Sequence, residues 1–559
     1  MNRTRVRLLA GCLAVAIGAV AAGCGSDDSD NSDSGGGADT ATGVALAESW
    51  VTTTPEATGE LDSVTWGLPY GEPSTLDYLQ AAAYSDNAVL SSLCEGLLRT
   101  NPDFETEPSL AEEVENPDPT TYIYKLREDV TFSNGDPLTA DDAVFSLKRN
   151  LDPDSGTFWA DWYVNVKDIV ATDDLTVEVT LTQPDETFNR FMGTAAGTVV
   201  QQKYAEEQGS DFGSPKGGVM CTGPFVLADW TPGGSITIER NEDYWDSENL
   251  AKTKEIKFEF VTDASALSSA LESGEIDGSY DVPLSLESSD AGTVYNGQST
   301  QFEAAPFFPR PGPVQDVRIR EALSLVIDRN AIGETIFKDS AAGLFSYYMP
   351  STWTYSRDIF EAQLEALPSP DTVDLDAAKE LVQEYVSEEG EVRELKLQIS
   401  SDDPSSRQLA AYIESQAEEV GIPVKVVGLP ANQSLAVAFD PELKKQYDFT
   451  VGTGYIDVAD PLTWVIWGLT PDGLFNDFGY DNPEVTKLID EARQTDDDDT
   501  RANLLGEIQD IAYGEDYASL FIANLAERLY LGNRVTGVPA SLPSYLYYPW
   551  AADLGAAGG

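Results

Sequence analysis

Tyr122-Ile-Tyr-Lys-Leu-Arg127, followed closely by Phe132-Ser-Asn-Gly-Asp-Pro-Leu-Thr-Ala-Asp-Asp-Ala-Val-Phe-Ser146, decides the fold. The first part alternates. Tyr122, Tyr124 and Leu126 fall on one face and Ile123, Lys125 and Arg127 on the other, which is the period of a half-buried strand. Ser133 to Asp136 is turn chemistry, with Gly135 free to take positive φ. Thr139 can then cap a helix, and Asp142, three residues on, completes a capping box. Leu138 and Ala143 suit a small hydrophobic staple, and Ala140, Ala143, Val144 and Leu147 form the apolar stripe. Local physics therefore gives a strand–turn–helix unit of an α/β protein.

The order of motifs around this unit is more specific. Cys94-Glu-Gly-Leu97, Pro108 to Ala111, Tyr124 to Arg127, Phe132 to Gly135 and Leu138 to Asp142 follow one another in a fixed order and spacing. The series resembles the family 5 extracellular solute-binding proteins of bacterial ABC importers, the dipeptide- and oligopeptide-binding group. The chain departs from that pattern at Cys94, where an aromatic residue is usual, and at Ser133-Asn134, where His-Asp is usual. Neither change touches a glycine, a cap or an apolar stripe. Cys221 to Phe225, Leu271 to Asp277, Asp316 to Arg320 and Tyr545 to Asp553 resemble later blocks of the same family, so the resemblance runs over about residues 62–555.

The resemblance implies an α/β fold of the type II periplasmic-binding-protein kind, with two main lobes, a ligand cleft and an added small α/β subdomain. The expected divisions are 62–90 for the start of lobe I, 91–215 for the added subdomain and 216–305 for the rest of lobe I. Lobe II then takes 306–527, and 528–559 returns to lobe I. Periodicity agrees with an α/β reading. Leu395 to Ser400, Val424 to Val427 and Tyr447 to Val451 read as strands, alternating with helical patterns over Ala378 to Val386 and Arg407 to Val420. Leu520 to Ile522 and Leu529 to Leu531 read as two short strands, and Ala81 to Leu98 as a helix.

Residues 1–23 read as a targeting segment. Arg3, Arg5 and Arg7 precede an apolar run from Leu8 to Ala22, too short for a comfortable membrane span. It ends in Ala21-Ala-Gly-Cys24, which resembles a lipoprotein lipobox; an ordinary secretory signal is the alternative. A disordered tether is expected over 24–61, from its Gly/Ser/Asp-rich start. This places the protein outside the cytoplasm, joined to the membrane through lipid on Cys24 alone.

Composition excludes several function classes. Formal net charge is −62, which argues against nucleic acid, whose phosphates need cations. There is no histidine, so no Ser-His-Asp or Cys-His catalytic arrangement and no histidine-based metal site can exist. A pair of carboxylates remains formally open as a hydrolase, but neither an enzyme nor a cofactor is expected. Cys94 and Cys221 are the cysteines left after processing and lipidation, an even pair in an oxidising location. A disulfide is expected, with two buried free thiols as the alternative.

The resemblance carries one polar ligand contact. Gly452-Thr-Gly-Tyr-Ile-Asp457-Val-Ala-Asp460-Pro461 resembles the family's loop in which an aspartate meets a peptide's α-ammonium, and Asp457 stands at that position. The local alternative is a loop aspartate bonding nearby backbone. Tyr455, Trp464, Trp467, Trp353 and Tyr355 are candidate aromatic walls, each also a candidate core residue. Arg407 stands where dipeptide binders can place a carboxylate-binding arginine; an exposed helix arginine is the other reading. The expected function is a monomeric receptor that delivers a peptide or similar small solute to an ABC permease. The alternatives are an oligosaccharide, opine or metal-chelate binder on the same fold, or a ligand sensor.

Overall fold

The computed structural model describes residues 37–81, 83–541 and 547–558. The first 36 residues, with Cys24 and the targeting segment, lie outside that range. Among the described residues there are five sheets, two of them two-stranded, and the other three carry the architecture.

The largest sheet is mixed and has nine strands. Its order is Gly452–Tyr455, Gly292–Pro306, Ser519–Gly532, Gly278–Ser279, Val64–Leu68, Glu255–Phe260, Ser235–Arg240 and Phe225–Thr231, with Ala341–Gly343 paired to Ser519–Gly532 off this path. Val64–Leu68 runs parallel to Glu255–Phe260 and to Gly278, and the remaining pairs are antiparallel. Trp66 is buried in this sheet and touches Tyr280 and Trp550 at 5.4 and 4.5 Å between ring centroids. Gly278 leaves it room, since a Cβ there would stand 2.4 Å from the Trp66 ring.

The second sheet is parallel, in the order Val424–Leu429, Leu395–Ser400 and Phe449–Thr450. Leu395, Leu397 and Ile399 are buried on it. The helix Pro404–Glu419 starts on Asp403, whose carboxylate accepts from the Ser405 and Ser406 amides, with proline at its first position. The third sheet is antiparallel: Ala111–Asp118, Thr121–Leu126, Thr176–Leu181 and Val166–Asp173. Tyr122, Tyr124 and Leu126 are its buried face, as the alternation requires. Helix Ala140–Arg149 follows with the Thr139/Asp142 capping box formed. Cys94 and Cys221 form a disulfide, with Cα atoms 4.9 Å apart.

Three expectations need correction. Residues 37–61 do not behave as a tether: Gly37–Ser49 is helical, Ala47 and Trp50 bury against Ala342 and Ala526, and Val51, Thr53, Gly59 and Leu61 bridge to the body. The apolar Val44, Ala45, Leu46, Ala47 and Trp50 outweigh the polar composition that precedes them. The two short strands near 520 and 530 are one strand of 14 residues, Ser519–Gly532. The first helix is shorter than expected, Tyr84–Leu93, because Cys94 turns extended to reach its disulfide partner.

Candidate ligand cleft

Two antiparallel strands, Gly292–Pro306 and Ser519–Gly532, build the floor of the site. Their pairing slips between Gly297 and Gln301 and again between Glu303 and Ala304. The first slip frees Thr300 to pin the neighbouring loop: its backbone O accepts from Ile456 N at 3.2 Å, and its hydroxyl donates to Ile456 O at 2.7 Å. Asp457 follows directly and is 3% exposed.

Asp457 accepts a hydrogen bond from the Tyr547 hydroxyl, and the Tyr455 and Tyr547 hydroxyls are also hydrogen-bond partners. Burial pushes the Asp457 carboxyl up to about 7, with the Tyr547 bond opposing that rise. Among the described residues, no lysine or arginine forms an ion pair with it. A buried carboxylate with one hydroxyl partner is under-solvated as an anion, and a cation brought to it would make a strong charge-assisted bond.

Tyrosines complete the wall. Tyr455 packs on Tyr84 at 5.2 Å and Tyr84 stacks on Tyr70 at 4.7 Å. Tyr70 exposes 55% of its surface, yet desolvation raises its hydroxyl well above the ordinary value. Trp159 meets Tyr547 edge-on at 6.3 Å.

The other expected site residues scatter. Trp464 packs edge-on against Phe302 at 4.6 Å. Phe302 alternates with Gln301 and Glu303, so Trp464 lies beneath the floor rather than above it. Trp467 is buried against Phe158 and Trp162 at 5.7 and 5.2 Å. Trp353 is buried against Phe360, with the Arg357 guanidinium over its ring. Tyr355 donates to Asp460 at 3.0 Å. Arg407 is exposed and donates to the Ser401 carbonyl. Of the residues expected at the ligand, Asp457 and Tyr455 share one wall; Trp353, Trp464 and Arg407 do not join them. Tyr70, Tyr84 and Tyr547 were not foreseen. Tyr70 and Tyr84 come from one stretch near the start of the chain and Tyr547 from its end, and no periodicity connects them.

The seam between the added subdomain and the parallel-sheet lobe is held by charge. Asp185 accepts from Arg493 at 2.7 Å and from Asn165 at 2.8 Å, and its side chain is fully buried. Asp460, also buried, lies 3.7 Å from Arg190 and 3.9 Å from Arg501.

A mixed α/β body with a buried carboxylate walled by tyrosines has the features of a solute-binding protein. Residues 105–476 match the family described as bacterial extracellular solute-binding proteins, family 5 Middle. The chain belongs to that family, whose members serve ABC importers outside the cytoplasm. It is 27% identical over 487 residues to the dipeptide-binding protein DppE of Bacillus subtilis, covering 83% of this chain and 87% of that one. Among solved structures, it superposes on the oligopeptide-binding protein AppA of B. subtilis in complex with a nonapeptide. The TM-score is 0.75 at 20% identity, covering 89% of this chain and 100% of AppA. It also superposes on AgaA of A. tumefaciens R10 in complex with agropinic acid, with a TM-score of 0.76 at 22% identity, covering 89% and 99%. Among the described residues, no helix is long and apolar enough to cross a membrane.

Proposed function

We propose that this protein is the lipid-anchored peptide receptor of an ABC importer, a monomer without catalytic activity. Residues 1–23 are removed, Cys24 carries the lipid, and the peptide's α-ammonium sits on Asp457. The chain crosses between lobes near 305 and 527, so ligand bound on the floor is touched from both sides and favours the closed form over the open one. One observation carries the reading: a carboxylate 3% exposed at the family's ammonium position, with a tyrosine hydroxyl but, among the described residues, no cationic partner. The dipeptide-binding relative and the nonapeptide-bound structure support peptides as the class.

The test is calorimetric titration of wild type and Asp457→Asn with a free and an N-acetylated peptide. Asp457→Asn is expected to lose roughly 2–5 kcal/mol toward the free peptide, the range for removing one partner of a buried ion pair. Acetylation is expected to cost wild type a similar amount and the variant little. Equal binding of both peptides by both proteins would reduce Asp457 to a loop residue. For the anchor, Cys24→Ala is expected to move the protein from the membrane to the soluble fraction; retention after a high-salt wash would place the anchor elsewhere.

A further inference from the structure

A second set of carboxyl groups lies along the same floor, separate from Asp457. Gln301 and Glu303 alternate onto one face of the Gly292–Pro306 strand. Across the ladder, Tyr455 pairs with Gln301 and Thr453 with Glu303. Thr453 donates to Glu303 Oε2 at 3.0 Å, whereas Glu303 Oε1 is buried with no hydrogen-bond partner among the described residues. Glu303 is 3% exposed.

Glu527, from the facing strand, is fully buried. It accepts from the Gln301 amide at 3.3 Å and from the Asp281 backbone N–H at 2.8 Å, and the same Gln301 amide reaches Asp281 Oδ1 at 3.4 Å. Its chain neighbour Arg528 turns away, donating to the Leu286 carbonyl at 2.6 Å. Among the described residues, neither Glu303 nor Glu527 is in an ion pair. Asp281, Glu527 and Asp403 all raise the Tyr70 hydroxyl, and Asp403 also raises Glu303. Gln301, on the same strand face as Glu303, thus joins that face to Glu527 and Asp281.

We infer that Glu303 and Glu527, with Asp281 beside them, form a second cation subsite that takes the basic side chain of a peptide held by Asp457. The inference rests on the peptide reading above. The bare buried oxygen of Glu303 carries it, because a carboxylate without a donor in a dry site is strongly disfavoured and a ligand cation relieves that cost. The aromatic faces of Tyr70 and Tyr84 suit the same charge. An organic cation fits better than a metal: among the described residues, no three acidic or cysteine side chains converge closely enough to hold one. Thr453 and Asp457 are four residues apart along the chain, about 13 Å if extended. A lysine or arginine two or three residues from the peptide's amino terminus spans that distance.

The test is calorimetric titration of wild type, Glu303→Gln, Glu527→Gln and Asp457→Asn with Ala-Ala-Ala, Ala-Lys-Ala, Ala-Ala-Lys and the diamine cadaverine. Wild type is expected to bind at least one lysine peptide ~10-fold or more tighter than Ala-Ala-Ala. Glu303→Gln and Glu527→Gln should erase that preference, while Asp457→Asn weakens all three peptides together. Thermal unfolding of each glutamine variant checks that it folds. Equal affinity of wild type for all three peptides, or a lysine preference that survives Glu303→Gln, overturns the subsite. If no peptide binds but cadaverine does, and Glu303→Gln abolishes it, the peptide reading fails and the cation subsite stands. If neither binds, both fail.

Discussion

Two groups of buried carboxylates lie along the lobes, and the protein treats them in opposite ways. Asp185 and Asp460 sit among arginines: Arg493 for the first, Arg190 and Arg501 for the second. Asp457, Glu303 and Glu527 are as deeply buried, but among the described residues their partners are hydroxyls, amides and, for Glu527, the Asp281 carboxyl, with no salt bridge. An ion buried with its partner completes a structure; an ion buried without one leaves a charge to be supplied from outside. The arginine-paired acids hold the seam, and the unpaired acids are where a cationic solute adds most. Burial alone therefore does not mark a site in this family member.

The largest expected effect is at the paired seam. Arg493→Ala strands Asp185 in a dry contact and should cost about 3–5 kcal/mol of stability, read by urea denaturation. A variant as stable as wild type would break the distinction, since Asp185 would then tolerate isolation as Asp457 does.

Asp457→Asn sharpens the contrast from the other side. It removes an under-solvated acid and keeps its shape, so the empty variant should melt a few degrees higher than wild type at pH 8, by scanning calorimetry. A lower melting point would show that the charge is satisfied in the empty protein.

A pH profile gives the smallest and most diagnostic effect. Folding raises the Asp457 carboxyl from 3.8 to about 7 and the Glu303 carboxyl from 4.5 to about 8. Between those limits the folded chain holds protons that the unfolded chain has released. The stability these groups contribute is full below pH ~4 and is lost as pH rises through ~7–8. Binding a cationic peptide near pH 6 should expel protons, seen as a binding heat that varies with the buffer's ionisation enthalpy. A buffer-independent heat would mean that both acids are already ionised.

Much of the fold was legible because its signals are local. The Tyr122 to Leu126 alternation, the Thr139/Asp142 box and the strand at Leu395–Ser400 each lie within a few residues of chain. Of the candidate site, only Asp457 and Tyr455 come from the family loop in the sequence and also share one wall in the structure. The Ser519–Gly532 strand shows why the rest was missed. Its apolar pattern breaks at Glu527-Arg528, which split it into two short strands on reading, yet that break is where a polar residue enters the floor beside Gln301. The Tyr70–Tyr84–Tyr455 stack and the Asp185–Arg493 pair join segments hundreds of residues apart, and no periodicity reports such contacts.

The Cys94–Cys221 bond has a topological consequence. It closes a covalent ring between residues 127 apart in the chain, and the whole four-stranded sheet lies on that ring. Phe158, Trp162 and Asp185, which meet the opposite lobe at Trp467 and Arg493, ride on it too. A single cut by a protease inside the ring opens a loop but cannot part the molecule. The two ends remain buckled at the helix that carries Tyr84, so a protein standing outside the cell can be nicked there and keep its cleft assembled.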